Sequence, residues 1–105
     1  MAYIIKAVGI ASDFTVFIKD MWVESYDLDA LPVGKFSTIS EEGAVINGLF
    51  GGVTTLTIHR EKAKVFSSLI EGLGAWTETS KTRPTRPDGK PNKPMTAISV
   101  MMEPL

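Results

Sequence analysis

The sequence predicts an α+β fold: an antiparallel sheet of about four to five strands with one main amphipathic helix packed on one face. Three observations carry this. Residues 53–58 (VTTLTI) are β-branched throughout except Leu56 and read as a strand. They run almost without a linker into residues 60–73, where Ala63, Phe66, Leu69, Ile70 and Leu73 recur at spacings of three and four and so share one helix face. Further short β-forming segments are joined by brief links, and short links favour antiparallel neighbours. A length of 105 residues suits a single domain, 1–105, with one hydrophobic core and no covalent staples.

Taken in order, residues 3–8 (YIIKAV) read as a strand buried on much of both sides, and residues 9–13 as a turn. Residues 14–26 form the second strand, with a candidate bulge near Lys19 and Asp20, paired as a hairpin with the first. Residues 27–34 make a loop broken by Pro32 and Gly34, and residues 35–39 a short strand. Ser40, followed by Glu41, Glu42 and Gly43, has the form of an N-cap with an acidic first turn, which predicts a brief helical turn through Ala44, Val45, Ile46 and Phe50. Gly43, Gly48 and Gly51 argue equally for a loop with apolar plugs. In the main helix, Arg60, Glu61, Lys64, Ser67, Ser68 and Glu71 take the wet side, and Gly72 or Gly74 closes the last turn. Residues 77–94 contain no aliphatic side chain and form a Pro-rich basic loop, after which residues 95–103 return as a final strand.

The composition, 44% apolar and 22% charged, is that of a soluble globular protein rather than a disordered one. No cysteine is present, which excludes a disulfide framework and thiolate chemistry and fits a reducing compartment. The first apolar run lacks a basic leader and a cleavage site, so it is read as a strand rather than a signal peptide. Apolar runs are far shorter than the roughly 20 residues that span a bilayer, and no membrane association is expected. The net charge of −1 conceals a polarity. Residues 81–93 carry Lys81, Arg83, Arg86, Lys90 and Lys93 against Asp88, a net +4 that leaves −5 for the remainder, most of it before residue 43.

That basic loop holds an internal repeat. Arg83-Pro84-Thr85-Arg86-Pro87 and Lys90-Pro91-Asn92-Lys93-Pro94 share the order basic-Pro-polar-basic-Pro about an Asp88-Gly89 turn. Proline restrains both arms toward extended backbone, giving a stiff two-armed finger. Three readings stay open: the arms lie on the domain with their cations toward its own acidic half; they contact nucleic-acid phosphates; or they dock on another protein. Lys81-x-x-Pro84-x-x-Pro87 fits a ligand pattern for aromatic grooves. The candidate binding residues are therefore Lys81, Arg83, Arg86, Lys90 and Lys93, with Trp76 at the finger's base as an aromatic anchor. Core packing is the default for Trp76, as it is for Trp22 and Tyr26.

Catalytic sets are missing. His59 is the single histidine, at the strand–helix junction, where a cap or boundary role is the usual one. One His and no Cys exclude the common zinc sets and Cys–His nucleophile pairs. The acidic pairs Asp27/Asp29 and Glu41/Glu42 read as solvated loop residues, and the glycine-rich stretch 47–52 runs into a strand rather than a phosphate-cradling helix. No enzyme activity, metal or cofactor is expected.

Residues 22–27 (WVESYD), 62–66 (KAKVF) and 86–97 (RPDGKPNKPMTA) are similar to the layout of small accessory proteins of tailed bacteriophages and prophages. The resemblance implies a cytoplasmic, non-enzymatic protein made in an infected bacterium that binds and blocks a host protein; it assigns no site residues. The expected function is a small binding module contacting a host defence or regulatory protein or a second copy of itself, such as a homodimer. Nucleic-acid binding through the finger, or a role as a virion or assembly subunit, are the alternatives.

Overall fold

The computed structural model describes residues 1–10 and 20–105. Within them, six strands form one antiparallel sheet: β1 (Tyr3–Ile10), β2 (Met21–Asp27), β3 (Ser37–Ser40), β4 (Gly43–Asn47), β5 (Val53–Thr57) and β6 (Ile98–Pro104), in the order β3-β4-β5-β2-β1-β6. One α-helix, α1 (Leu69–Thr77), and two short 3-10 turns, Arg60–Lys62 and Pro94–Ala97, complete the described elements. No helix among the described residues is long and apolar enough to cross a membrane. The α+β class and the antiparallel sheet agree with the expectation; the sheet has six strands rather than four or five.

The extra strand is β4, where a helical turn or a loop with apolar plugs was expected. Ser40 and Gly43 face each other as the last β3–β4 pair, so Ser40-Glu41-Glu42-Gly43 is a hairpin turn. The Ser40 hydroxyl still accepts a local backbone N–H, that of Glu42 (3.3 Å), but it caps a turn and not a helix. Alternation then decides the outcome: Ala44 and Ile46 are buried while Val45 faces out, a period of two. Gly43 is needed at the entry, since its φ is 154° and a Cβ there would fall on the Leu56 carbonyl of β5.

A second correction concerns residues 60–73, which are not one amphipathic helix. Only Arg60–Lys62 turn, and α1 begins at Leu69. The intervening segment is used as a strand fragment. β1 and β2 pair at Lys6↔Trp22 and Ala7↔Met21, and beyond that the segment stands between them. Lys64 N–H donates to the Val23 carbonyl (2.9 Å), while Phe66 and Tyr3 exchange both backbone bonds (2.8 and 2.9 Å). Ala63 accordingly packs with Ile4 and Trp22, whereas Phe66 joins the main core of Ile5, Val23, Ile46, Leu56, Met95 and Ile98. Residues expected to share a stripe thus serve opposite faces of the sheet.

The Ser68 hydroxyl accepts the Glu71 N–H (3.2 Å) and so caps α1, and the Glu71 carboxylate accepts the Ser67 N–H (3.0 Å), close to a reciprocal capping box. Ser67, Ser68 and Glu71 are therefore a helix start rather than a wet helix side. The helix seats Gly72 and Ala75 against the sheet, with Met102 beneath Gly72, and leaves Leu69, Ile70 and Leu73 outward. Gly72 and Gly74 lie inside it, not at its end. The expected hairpin of the first two strands, the 27–34 loop and the return of a final strand all agree with the structure. The part of the second strand expected over 14–19, with Lys19 of the candidate bulge, lies outside the described residues; Asp20 has a φ of 56°.

A basic-rimmed groove between the finger and the glycine turn

The Pro-rich loop is a hairpin pinned to the domain. Gly89, at φ 84°, closes its tip: Gly89 N–H donates to the Arg86 carbonyl (2.9 Å), Arg86 N–H to the Lys90 carbonyl (2.8 Å), and Thr85 and Pro91 form an isolated antiparallel bridge. Asp88 accepts the Lys90 N–H (3.0 Å) and the Arg86 guanidinium (2.8 Å). At the base, one carboxylate oxygen of Asp29 accepts the Ser80 hydroxyl (2.9 Å), the Lys81 N–H (2.8 Å), the Thr82 N–H (3.0 Å) and the Thr82 hydroxyl (3.1 Å). These donors hold the Asp29 carboxyl below its ordinary value, the Thr82 N–H most of all. Buried Asn92 ties the arms together, its side-chain amide donating to the Phe50 carbonyl (3.2 Å) and the Arg83 carbonyl (2.9 Å).

The finger therefore does lie along the domain, but neutral donors fix it there. Among the described residues, Arg86 with Asp88 is its one ion pair, and no acidic residue of the first half meets a finger cation. The charge polarity is left available to the outside.

Against the finger stands the turn between β4 and β5. Gly52, at φ 88°, donates its N–H to the Ala30 carbonyl (2.8 Å), and a Cβ at this position would fall on the Pro94 ring. This close approach leaves a groove of about 280 Å³ between turn and finger. Phe36, Leu49 and Phe50 supply its apolar surface, Pro91, Pro94 and Ala97 the opposite wall, and Arg86 and Lys93 its charge. The Arg86 guanidinium lies 5.2 Å from the centre of the Phe50 ring, which both orients the cation and covers the ring. A smaller hollow of about 130 Å³ continues it past Phe36 to Gly34 and Lys35. No carboxylate lines either part, but Asp88 pairs with Arg86 at the rim, which leaves Lys93 as the larger part's lining cation without a carboxylate partner among the described residues.

Of the residues expected to bind, Arg86 and Lys93 line this groove. Lys81 and Lys90 are exposed elsewhere on the finger, and Arg83 is half-buried beside Gly51. Trp76 is half-buried away from the groove, its indole N–H donating to the Ile98 carbonyl at the start of β6 (3.1 Å). The apolar half of the groove escaped sequence reasoning. Its signal was Leu49-Phe50 set between Gly48 and Gly51; in the structure Leu49 is 75% exposed.

His59 does meet carboxylates. Its Nε2 lies 2.6 Å from Glu42 and its Nδ1 3.8 Å from Glu61, at one end of an open hollow of about 300 Å³ lined also by Glu24, Thr38, Thr55 and Lys62. The hydrogen bond from His59 lowers the Glu42 carboxyl. His59 and Glu42 are 36% and 75% exposed, so this is a solvated surface pair. The neighbouring Thr57 hydroxyl is occupied by the His59 N–H (3.1 Å). Among the described residues no cluster of three or more His, Cys, Asp or Glu side chains is placed to hold a metal ion. The chain matches no protein-family model, no curated protein and no solved structure.

Proposed function

We propose that this chain is a small non-catalytic binding module whose groove between finger and glycine turn takes a segment of a partner protein. The single supporting observation is the groove's composition: an apolar surface with a cationic rim and no carboxylate in its lining. Such a surface selects an aromatic or large aliphatic anchor flanked by Asp or Glu, with charge steering the encounter and the anchor supplying affinity. A host defence or regulatory protein is the partner that phage or prophage origin would suggest.

The test is capture from bacterial lysate, followed by titration of the captured protein's acidic segment. Leu49→Glu and Lys93→Glu alter exposed side chains, so both variants should melt with the parent while affinity falls about tenfold or more. Capture of the same proteins by parent and both variants would refute the groove.

Nucleic-acid binding is the second reading, favoured by Lys81, Lys90 and Lys93 being exposed without a carboxylate partner among the described residues. It predicts gel-shift binding that falls steeply with salt and is lost in Lys81→Ala/Lys90→Ala, yet is indifferent to the charge-neutral Leu49→Ala. A large fixed oligomer in light scattering would instead favour a virion or assembly subunit.

A further inference from the structure

At one end of the strand order, β6 is an edge strand, and no described residue pairs with its outer side. The direction of its backbone groups follows from its neighbour. Tyr3 exchanges both backbone bonds with Phe66, so its N–H and C=O point away from β6. Alternation along the antiparallel pair then turns Met101 and Glu103 toward β1 and leaves the N–H and C=O of Val100 and Met102 facing outward. On either side of these two residues the edge closes. Pro104 has no N–H, and the Ile98 carbonyl already accepts the Trp76 indole. Edge strands are ordinarily blunted by lysine, internal proline or an inward charge. Residues 98–102 carry none of these, and Glu103 is drawn to Arg60 (2.6 Å).

Apolar surface flanks this edge on the helix side of the sheet, and on the other face Met101 stands between Ser99 and Glu103. Tyr26 of β2 shares a hollow with Glu71, Gly74, Ala75 and Glu78, so that side of α1 faces the sheet interior. The opposite side, Leu69, Leu73 and Trp76, overhangs β6. Leu69 and Leu73 are each 42% exposed, and Ile70 above them is 82% exposed. On the other face Met101 is 54% exposed.

We infer that β6 pairs with β6 of a second copy, antiparallel about a two-fold axis through Met101, to form one continuous sheet across a homodimer. The outward groups of Val100 and Met102 sit symmetrically about that axis. Val100 of one copy meets Met102 of the other, each pair exchanging both backbone bonds, and pairing stops where Pro104 and the Trp76-bound carbonyl end the supply of partners. The two Met101 side chains then meet on one face and the Leu69/Leu73 flanks on the other. A second copy answers this edge because the contact is self-complementary, the condition for a closed two-fold interface. This surface is separate from the groove and does not depend on its occupant.

Sedimentation of the full chain from about 1 to about 100 µM should show a concentration-dependent species of twice the 11.4 kDa chain mass. Met101→Lys brings two cations face to face, and Val100→Pro removes an outward N–H while sparing the ladder to β1. Each should raise the dissociation constant about tenfold or more. Met101→Lys changes an exposed side chain, so its far-UV circular dichroism and its melting at low concentration should match the parent. Hydrogen exchange gives an independent readout: the Val100 and Met102 amides should be protected in the parent at high concentration and exchange freely in Met101→Lys. A parent that stays monomeric over this range, a dimer indifferent to both substitutions, or a dimer whose Val100 and Met102 amides exchange freely would each overturn the proposal.

Discussion

Asp29 shows how one side chain can fix a whole loop. Its neighbour Asp27 accepts the Asp29 N–H (2.9 Å), which turns the chain locally, while the Asp29 carboxylate gathers donors from Ser80, Lys81 and Thr82. From the sequence the two residues read as a solvated acidic pair, because nothing local reveals partners some fifty positions away. Asp29→Ala should leave the sheet intact and loosen the finger's base; hydrogen exchange at the Lys81 and Thr82 amides should accelerate more than at the β1 and β5 amides. Gly52 acts at the same scale in the opposite sense, by having no side chain. Gly52→Ala would force apart the glycine turn and Pro94 at a positive φ, at a cost of about 2 kcal/mol or more, readable by urea denaturation. An Ala variant as stable as the parent would contradict the close approach.

Among the elements, α1 depends most on its ends. Three glycine or alanine residues lie within its nine, and few side chains hold it down, so its Ser68 cap carries a large share of its definition. Ser68→Ala should destabilise the protein by about 1 kcal/mol, measured by chemical denaturation, and Ser68→Asp should restore most of the loss. The segment before the helix is a contest between two periodicities. Ala63, Phe66, Leu69, Ile70 and Leu73 fit a helical stripe, but pairing Phe66 with Tyr3 satisfies backbone groups that the divergence of β1 and β2 would otherwise leave open. Hydrogen-bond satisfaction across the sheet outweighed local helical periodicity. At β4 the same N-cap chemistry that can start a helix closed a hairpin, because Gly43 allowed close approach to β5.

For the molecule as a whole, three lowered carboxyls contribute to the response to acid. Asp29, Glu42 and Glu71 all have native pKa values below their ordinary ones, through donors from Thr82, His59 and Ser67 respectively. A carboxyl depressed in the folded state stabilises fully above its unfolded pKa, and that contribution is lost as pH falls through the native value. Thermal midpoints should therefore decline as pH drops below about 4, with Asp29→Asn showing a shallower decline than the parent. A parent midpoint independent of pH across that window would contradict the assignment. The outward backbone groups of β6 belong to Val100 and Met102, neither of which lines the groove, so a dimer through β6 leaves both grooves accessible.

The sequence by itself determined what a few neighbouring residues can encode. The β-branched run of β5, the pairing of β1 with β2, the Asp88-Gly89 turn and the two proline-bearing arms all rest on local alternation, turn chemistry or fixed proline angles. Tertiary structure alone decided which face each apolar side chain would meet: Ala63 and Phe66 parted, Leu69 and Leu73 were left outward, and Leu49 and Phe50 became one side of a groove. Burial is a property of surfaces brought together from distant parts of the chain, and periodicity says only that an apolar face exists, not what will cover it.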